Sequence, residues 1–292
     1  MYRILIRVNV KIHLTQENPM ATASVNGVSL AYDDEGGGGA PPLLFVHGHP
    51  FDRSMWRLQL AAFARKDQRV IAPDLRGYGE SAVVAGKTTL DIFARDLEAL
   101  LEALGVERRV ILCGLSMGGQ IVMEFCRLFP ERVAAIVLAA TSPQAETEAG
   151  KHNRNLMADR LLREGMGPYA DEILPKMLAP NSIATQPAIA RHVLGMMRSA
   201  PPEGAASALR GRAERPPYEG VLAAFAHPAL IVVGDQDAFT THADAELMRR
   251  LLEGSELLFL EGVGHMPNLE SEARFNAALE RLLVTVAAVA AP

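Results

Sequence analysis

The sequence of 292 residues has few of the features that mark specialised classes of protein. Its two cysteines are too few for a scaffold held by disulfides. No apolar run approaches the roughly 20 residues that a membrane-spanning helix needs. The 29 basic and 34 acidic residues give a net charge of −5, which disfavours binding to nucleic acid or anionic lipid. What remains is a hydrophobic content of 49%, enough to bury the core of an ordinary globular protein.

The first 20 residues lack a secretory signal. Arg3, Arg7 and Lys11 interrupt the apolar residues of this segment, whereas a signal peptide needs roughly 7–15 apolar residues in one stretch. We interpret residues 1–20 as a disordered or loosely attached N-terminal extension, with Met20 as the natural start of synthesis. In the absence of a signal, the expected location is the cytoplasm.

Short apolar runs alternate with amphipathic stretches from residue 25 onward. The dipeptide Asn26-Gly27 predicts a tight turn between the first two strands. Apolar strands separated by helices are typical of a mostly parallel sheet with helices on both faces, so the sequence predicts an α/β fold. The predicted strands are residues 43–47, 70–73, 110–113, 133–139, 229–233 and 257–260, and the predicted helices are residues 89–104, 117–128, 243–252 and 270–283.

Residues 143–225 break this alternation. They contain helical pieces separated by glycine and proline, with no convincing strand, and we interpret them as a helical cap inserted into a core of residues 21–142 and 226–292. The cap has ten basic and nine acidic residues, while the rest of the chain is acidic. This contrast favours an anionic substrate only weakly, since exposed arginines are usually just solvated.

The cap is also rich in methionine. Flexible thioethers suit an adaptable apolar pocket wall, although packing of the cap onto the core is the simpler explanation. The cap contains five of the twelve methionines of the chain: Met157, Met166, Met177, Met196 and Met197.

The strongest chemical signal is Gly-Leu-Ser-Met-Gly at residues 114–118, which follows a buried strand and begins a helix. A sharp strand-to-helix turn strains its central residue, and glycines on both sides remove side chains that would clash. Such a turn exposes the Ser116 hydroxyl at the positive end of the helix dipole. We predict that Ser116 is a nucleophile. The alternative is a glycine-rich turn in which Ser116 only caps the helix.

A serine nucleophile needs a base, and the base needs a group that orients it. Among eight histidines, His265 stands out because it lies in a Gly/Pro loop after a predicted strand, where α/β folds carry reactive groups. The strand at residues 229–233 runs into two carboxylates. We favour Asp237 as the partner of His265 and keep Asp235 as the alternative. Considered singly, each of these residues could equally belong to an ordinary surface turn.

Negative charge that develops on a substrate carbonyl oxygen needs hydrogen-bond donors. We predict two backbone N–H donors: Met117, at a helix start, and His49, in the His-Gly-His-Pro loop at residues 47–50. Two other roles are less favoured, namely His49 as an acid or base in its own right and His47 as a metal ligand. No cluster of His, Asp or Glu with metal-ligand spacing accompanies them, so no metal and no cofactor is expected.

These motifs resemble those of the α/β-hydrolase superfamily over residues 25–283. HGHP matches the oxyanion loop of that family, APDLRGYGES at residues 72–81 matches its turn after the fourth strand, and GLSMGG matches its nucleophile elbow. The resemblance implies the α/β-hydrolase fold. It also implies oxyanion donors at His49 and Met117 and a catalytic serine, acid and histidine at Ser116, Asp237 and His265.

The same resemblance reduces the number of activities to be considered. Haloalkane dehalogenases and epoxide hydrolases share the HGxP loop, but they use an aspartate nucleophile, and Ser116 argues against both activities. Within the serine branch, the chain is similar to 3-oxoadipate enol-lactonases, small carboxylesterases, acyl-homoserine lactonases and cofactor-free haloperoxidases or perhydrolases. The elbow GLSMGG is common to these groups and separates them poorly.

Several other residues have a predicted place. Asp74 and Arg76 are expected to be structural, with Arg76 paired to a nearby carboxylate. Cys113 and Cys126 are expected to be small core residues rather than a redox pair. The residues predicted to line the substrate pocket are Trp56, Met157, Met196 and Met266.

The sequence therefore predicts a carboxylesterase- or lactonase-like hydrolase that cleaves a small ester or lactone through an acyl-enzyme. Two alternatives use the same three residues: a perhydrolase or haloperoxidase, in which hydrogen peroxide replaces water, and a hydrolase of C–C bonds. An alternative from another class is a hydrolase-fold receptor that binds a small molecule without turning it over. The oligomeric state is not predicted.

Overall fold

A computed structural model describes residues 21–65 and 67–290. The predicted extension at residues 1–20 lies outside this range. Eight strands form one sheet in the order β1-β2-β4-β3-β5-β6-β7-β8, in which β1 and β2 are antiparallel to their neighbours and the others run parallel. This confirms the predicted α/β fold with a mostly parallel sheet. The strands are β1 (Ala21–Val25), β2 (Val28–Glu35), β3 (Leu43–Val46), β4 (Val70–Pro73), β5 (Val110–Leu115), β6 (Val133–Ala139), β7 (Ala229–Gly234) and β8 (Glu256–Leu260).

Helices cover both faces of the sheet. Since successive side chains of a strand point to opposite faces, the apolar run of β3 feeds two buried layers, with Leu44 and Val46 in one and Leu43 and Phe45 in the other. Helices α2, α3 and α10 pack on the first face, and α1 and α12 pack on the second. The helices of the core are α1 (Arg57–Phe63), α2 (Leu90–Ala103), α3 (Met117–Leu128), α10 (His242–Leu251), α11 (Pro267–Glu270) and α12 (Glu272–Ala290).

The hairpin at the start of the sheet follows from its turn residues. Asn26 and Gly27 both have positive φ, at 46° and 78°, the conformation that a two-residue hairpin turn of this kind requires. Val25 pairs directly with Val28, so β1 and β2 are joined by these two residues alone. The predicted turn is confirmed.

Six helices lie between β6 and β7, in the segment interpreted as the cap. They are α4 (Glu148–Glu164), α5 (Met166–Met177), α6 (Pro180–Thr185), α7 (Pro187–Ser199), α8 (Pro202–Arg212) and α9 (Glu219–Ala223). Helix α8 approaches the core very closely: a Cβ at Gly204 would lie 1.8 Å from the carbonyl oxygen of Gly77, and one at Gly211 would lie 1.7 Å from that of Thr88. Only glycine allows these contacts, and they fix α8 against the core.

The predicted structural residues behave as expected. Arg76 donates two hydrogen bonds of 2.7 Å to the buried carboxylate of Asp96. Asp74 accepts hydrogen bonds from the backbone N–H groups of Arg53 and Glu80, at 2.7 and 2.8 Å. Cys113 and Cys126 are both buried, free thiols.

The ends of some elements differ from the prediction. Helix α1 was not predicted, because its short sequence follows the loop after β3 without a clear amphipathic period. Helix α12 continues to Ala290 rather than ending at Leu283, because Leu282 and Val286 pack into the second apolar layer and stabilise the additional turns. Within the described residues, no helix has both the length and the apolar composition needed to cross a membrane.

Candidate active site

Ser116 lies at a strained turn between β5 and α3. Its φ of 56° and ψ of −114° are unusual for a residue with a side chain. The flanking glycines make the turn possible, since a Cβ at Gly114 would lie 2.3 Å from the carbonyl oxygen of Gly118. Ser116 is partly exposed, whereas its neighbours on both sides are buried. The turn therefore presents one hydroxyl at the N-terminus of α3, as the motif predicts.

The loop after β3 is pressed against this turn. A Cβ at Gly48 would lie 3.0 Å from the carbonyl oxygen of Leu115, and one at Gly118 would lie 2.1 Å from that of Val46. These glycines bring the loop that carries His49 next to Ser116. Within residues 21–65 and 67–290, the backbone N–H groups of His49 and Met117 donate to no other group of the chain.

His265 and Asp237 are in direct contact. The Nδ1 atom of His265 lies 2.9 Å from both carboxylate oxygens of Asp237. Asp237 also accepts hydrogen bonds from the backbone N–H groups of Phe239 and Thr240, at 2.8 and 3.1 Å. Burial acts to raise the pKa of Asp237, but His265 and these two N–H donors outweigh it, and the pKa lies below its ordinary value. The carboxylate is thus held ionised against the ring.

Asp235, the alternative partner, has a different position. Its carboxylate accepts hydrogen bonds from the backbone N–H groups of Gly262 and Val263, at 2.7 and 3.3 Å. It ties the end of β7 to the loop that carries His265 and does not contact the ring. Asp237 is the residue that the structure brings to His265.

Ser116 and His265 line the same cavity, which has a volume of about 270 Å³. In the part of the chain that the structure describes, the Ser116 hydroxyl makes no direct hydrogen bond to the His265 ring. The lining residues include no carboxylate. The wall consists of His49, Ser116, Gln120, Ala140, Thr141, Ser142, Arg154, Tyr169, Met177, Leu209, Arg212, Arg215, Phe239, Thr240 and His265.

The two histidines of the His-Gly-His-Pro loop differ in their contacts: both ring nitrogens of His47 are hydrogen-bonded, whereas Nε2 of His49 has no hydrogen-bond partner among the described residues. The Nδ1 of His47 donates to the carbonyl of Gly48 at 2.9 Å, and its Nε2 accepts from the backbone N–H of Leu75 at 2.9 Å. Neither nitrogen is free to bind a metal. Burial lowers the pKa of His49 well below its ordinary value, and its Nδ1 lies 2.7 Å from the hydroxyl of Tyr78. A neutral, buried His49 suits a structural role for its ring better than that of a base.

Glu270, which no sequence motif marks, holds the loop that carries His265. Its buried carboxylate accepts hydrogen bonds from the backbone N–H groups of Gly264 and Met266, on either side of His265, at 3.1 and 3.0 Å. It also accepts one from Ala179 of the cap at 2.8 Å. The backbone N–H of His265 itself donates to the carbonyl of Met177 at 3.1 Å. These hydrogen bonds join the cap directly to the loop that carries His265.

The four predicted pocket residues do not line this cavity. Trp56 is fully buried and stacks on Phe45 of the sheet at a ring distance of 4.9 Å. Met196 and Met266 belong to the second apolar layer, and Met157 packs against the first. Among the cap methionines noted in the sequence, Met177 is the one that reaches the wall.

The cap instead contributes three arginines to the wall: Arg154, Arg212 and Arg215. A signal for one of them exists in the sequence. Helix α8 is unusually rich in small residues, a composition that marks a helix packed closely on its neighbours, so Arg212 at its end is also buried. Within the described residues, no three His, Cys, Asp or Glu side chains are arranged to hold a metal ion.

Comparison with known proteins identifies the family of the chain. The model of the alpha/beta hydrolase family matches residues 43–278. The chain belongs to the alpha/beta hydrolase family. The predicted family and the prediction of an α/β-fold hydrolase are both confirmed.

Individual relatives cover nearly the whole chain. It is 30% identical over 266 residues to 3-oxoadipate enol-lactonase 2 of Acinetobacter baylyi, covering 90% of this chain and 96% of the relative. Among solved structures, a thermophilic esterase from Thermogutta terrifontis with bound malate has a TM-score of 0.87 and 35% identity, with coverage of 92% and 99%. The enol-lactonase from Burkholderia xenovorans has a TM-score of 0.83 and 26% identity, with coverage of 90% and 100%.

Proposed function

We propose that this protein is a serine-dependent hydrolase that cleaves a small carboxylic ester or lactone through an acyl-enzyme. One observation carries the proposal: a hydroxyl on a strained turn and an imidazole bound to a buried carboxylate line one small cavity. The similarity to an enol-lactonase and an esterase over about nine-tenths of the chain supports esters and lactones as the substrate class.

The reaction follows from the position of each group. Ser116 Oγ attacks the carbonyl carbon, and Nε2 of His265 takes the hydroxyl proton as the C–O bond forms. Asp237 accepts the Nδ1–H of His265, which keeps the other nitrogen free for this proton and stabilises the imidazolium. His265 then gives the proton to the leaving alcohol or enol oxygen.

Hydrolysis of the acyl-enzyme reuses the same residues. His265 removes a proton from a water molecule, whose oxygen attacks the acyl carbon, and the proton passes to Ser116 Oγ as that bond breaks. In both steps, the N–H groups of His49 and Met117 are the donors for the oxyanion. Loss of one such donor typically costs about 3–4 kcal/mol in the transition state.

The first test replaces the nucleophile. Ser116→Ala is expected to lower kcat for 4-nitrophenyl acetate and butyrate by up to about a millionfold, as in other triads of this kind. The matched control is Ser142→Ala, which removes a hydroxyl from the wall of the same cavity and is expected to leave most of the activity in place. Retention of more than a few per cent of wild-type turnover by Ser116→Ala would refute the proposed nucleophile.

The pH dependence tests the base. Only the neutral ring of His265 can accept the serine proton, so kcat/KM, measured between about pH 5 and pH 8, is expected to fall on the acid side of this range. A flat profile over this range, measured where chemistry limits the rate, would argue against His265 as the base.

A further inference from the structure

The charges on the cavity wall do not balance. Arg154, Arg212 and Arg215 line the cavity together with Ser116, and none of the described residues that line it carries a carboxylate. Behind the wall, Glu146 accepts a hydrogen bond from Arg154 and lies 4.0 Å from Arg215. One carboxylate therefore serves two of the three arginines, and Arg212 is left without one.

Arg212 is the least compensated of the three. It is only 8% exposed, and its hydrogen bond within the described residues is that from Nε to the amide oxygen of Gln120, at 3.1 Å. Burial lowers the pKa of Arg212, and the positive charges of Arg154 and Arg215 lower it further. A buried guanidinium with so few acceptors is costly for the fold unless another group supplies negative charge.

The geometry points to a substrate that brings this charge: we propose that the ester or lactone carries a free carboxylate, which binds to Arg212. A guanidinium has donors in a planar fork that matches the two oxygens of a carboxylate. Arg154 and Arg215 add positive potential at the same wall, and the cavity of about 270 Å³ limits the substrate to a small molecule. This inference rests on the proposed ester or lactone hydrolysis and adds the charge of the substrate to it.

The test compares two methyl esters with acyl chains of five carbons: monomethyl glutarate, which carries a carboxylate, and methyl valerate, which does not. Wild-type kcat/KM, measured by titration of the acid released, is expected to be at least about tenfold higher for monomethyl glutarate, since hydrogen bonds to charged groups contribute at this level. Arg212→Met is expected to lower kcat/KM for the charged ester by about tenfold to a hundredfold and to leave that for methyl valerate nearly unchanged. Arg212→Lys, which keeps the charge but loses the fork, is expected to fall between the two.

The matched control is Arg210→Met. Arg210 lies on the same helix, but it points to the surface and pairs with Asp159 at 2.7 Å. This variant is expected to keep the wild-type ratio between the two esters. An equal loss on both esters in Arg212→Met, or a wild-type enzyme without preference for the charged ester, would overturn the proposal. If Arg212→Met does not fold, Arg154→Met provides the same comparison, with a smaller expected loss.

A binding measurement tests the carboxylate site independently of the proposed nucleophile. Glutarate is expected to bind to the Ser116→Ala protein in calorimetry and to lose this binding when Arg212→Met is added. Activity that survives in Ser116→Ala would refute the nucleophile without touching this result. No binding of glutarate, or binding of inorganic phosphate in preference to it, would refute the carboxylate site while leaving the nucleophile intact.

Discussion

Two clusters of charged residues, one around Arg53 and one around Arg212, are built differently. In the first, one arginine is surrounded by carboxylates: Arg53 binds Asp33 at 3.1 Å and also contacts Asp74 and Glu80. Burial acts to lower the pKa of Arg53, but the carboxylates, Asp74 first, outweigh it and raise this pKa. This cation is fully compensated by the protein itself.

The second cluster has the opposite balance. Glu146 contacts Arg154 and Arg215, whereas the hydrogen bond of Arg212 within the described residues goes to the amide oxygen of Gln120. The comparison separates two uses of buried charge. A cation enclosed by carboxylates holds elements of the fold together, whereas a buried cation without them serves the fold poorly and is available to a ligand. A neutral substitution in a compensated pair should therefore destabilise the fold, whereas a neutral substitution of Arg212 should not.

The largest effect is expected in the balanced cluster. Asp74→Ala should lower the free energy of unfolding by about 3–5 kcal/mol, because it removes a fully buried partner of Arg53 and the acceptor of two backbone N–H groups. Urea denaturation measures this loss. Asp33→Ala, which removes a more exposed partner of the same arginine, is the control and should cost much less. A loss below about 1 kcal/mol in Asp74→Ala would end the contrast between the clusters.

An intermediate effect is expected for the shared carboxylate. Glu146→Gln should lower the free energy of unfolding by about 1–3 kcal/mol at pH 7, because Arg154 and Arg215 lose their anion. Burial acts to raise the pKa of Glu146, but Arg154 and Arg215 outweigh it and lower this pKa. A carboxyl of this kind stabilises the fold fully above its ordinary pKa, and the contribution is lost as the pH falls through the lowered value.

The pH dependence of the free energy of unfolding tests whether the charge of Glu146 is responsible. The difference in stability between wild type and Glu146→Gln should be complete above about pH 5 and should shrink as the pH falls below about 4. A difference that stays constant down to pH 3 would mean that the charge of Glu146 is not what stabilises the cluster.

The smallest effect is expected at Arg212. Arg212→Met should leave the free energy of unfolding unchanged or raise it by up to about 2 kcal/mol, because it removes an uncompensated charge from a buried site. Urea denaturation of both proteins in a buffer free of carboxylate anions measures this change in the free energy of unfolding. A loss of 2 kcal/mol or more would show that Arg212 stabilises the fold, as Arg53 does.

The side of the cavity that carries Ser116 and His265 has local signals in the sequence. Gly114 is required by its contact with Gly118, four residues along the chain, and the loop of His265 follows directly from a strand end. The choice between Asp235 and Asp237 could not be made with certainty, because both follow the same strand. It depends on how the loop after β7 turns, and this turn is decided by contacts with a distant segment.

The part of the cavity wall that the cap contributes could not be predicted in the same way. Its residues come from separate cap helices, and their places depend on how these helices pack rather than on any local motif. Trp56 is near the oxyanion loop in sequence, which favoured a pocket role, yet stacking on Phe45 takes it into the core. Arg212 is buried because Gly204 and Gly211 let α8 touch the core backbone; the small residues of α8 indicate close packing but do not show which surface of the core the helix contacts.

The bonds of Glu270 have a consequence for how such a protein could be altered. The Glu270 carboxylate accepts hydrogen bonds both from the loop of His265 and from the backbone N–H of Ala179, between α5 and α6. The carbonyl of Met177 accepts a hydrogen bond from the backbone N–H of His265. A foreign cap grafted onto this sheet would have to supply a donor and an acceptor at the same two places. Without them, replacing the cap to change the substrate would also remove hydrogen bonds that hold the loop of His265 in place.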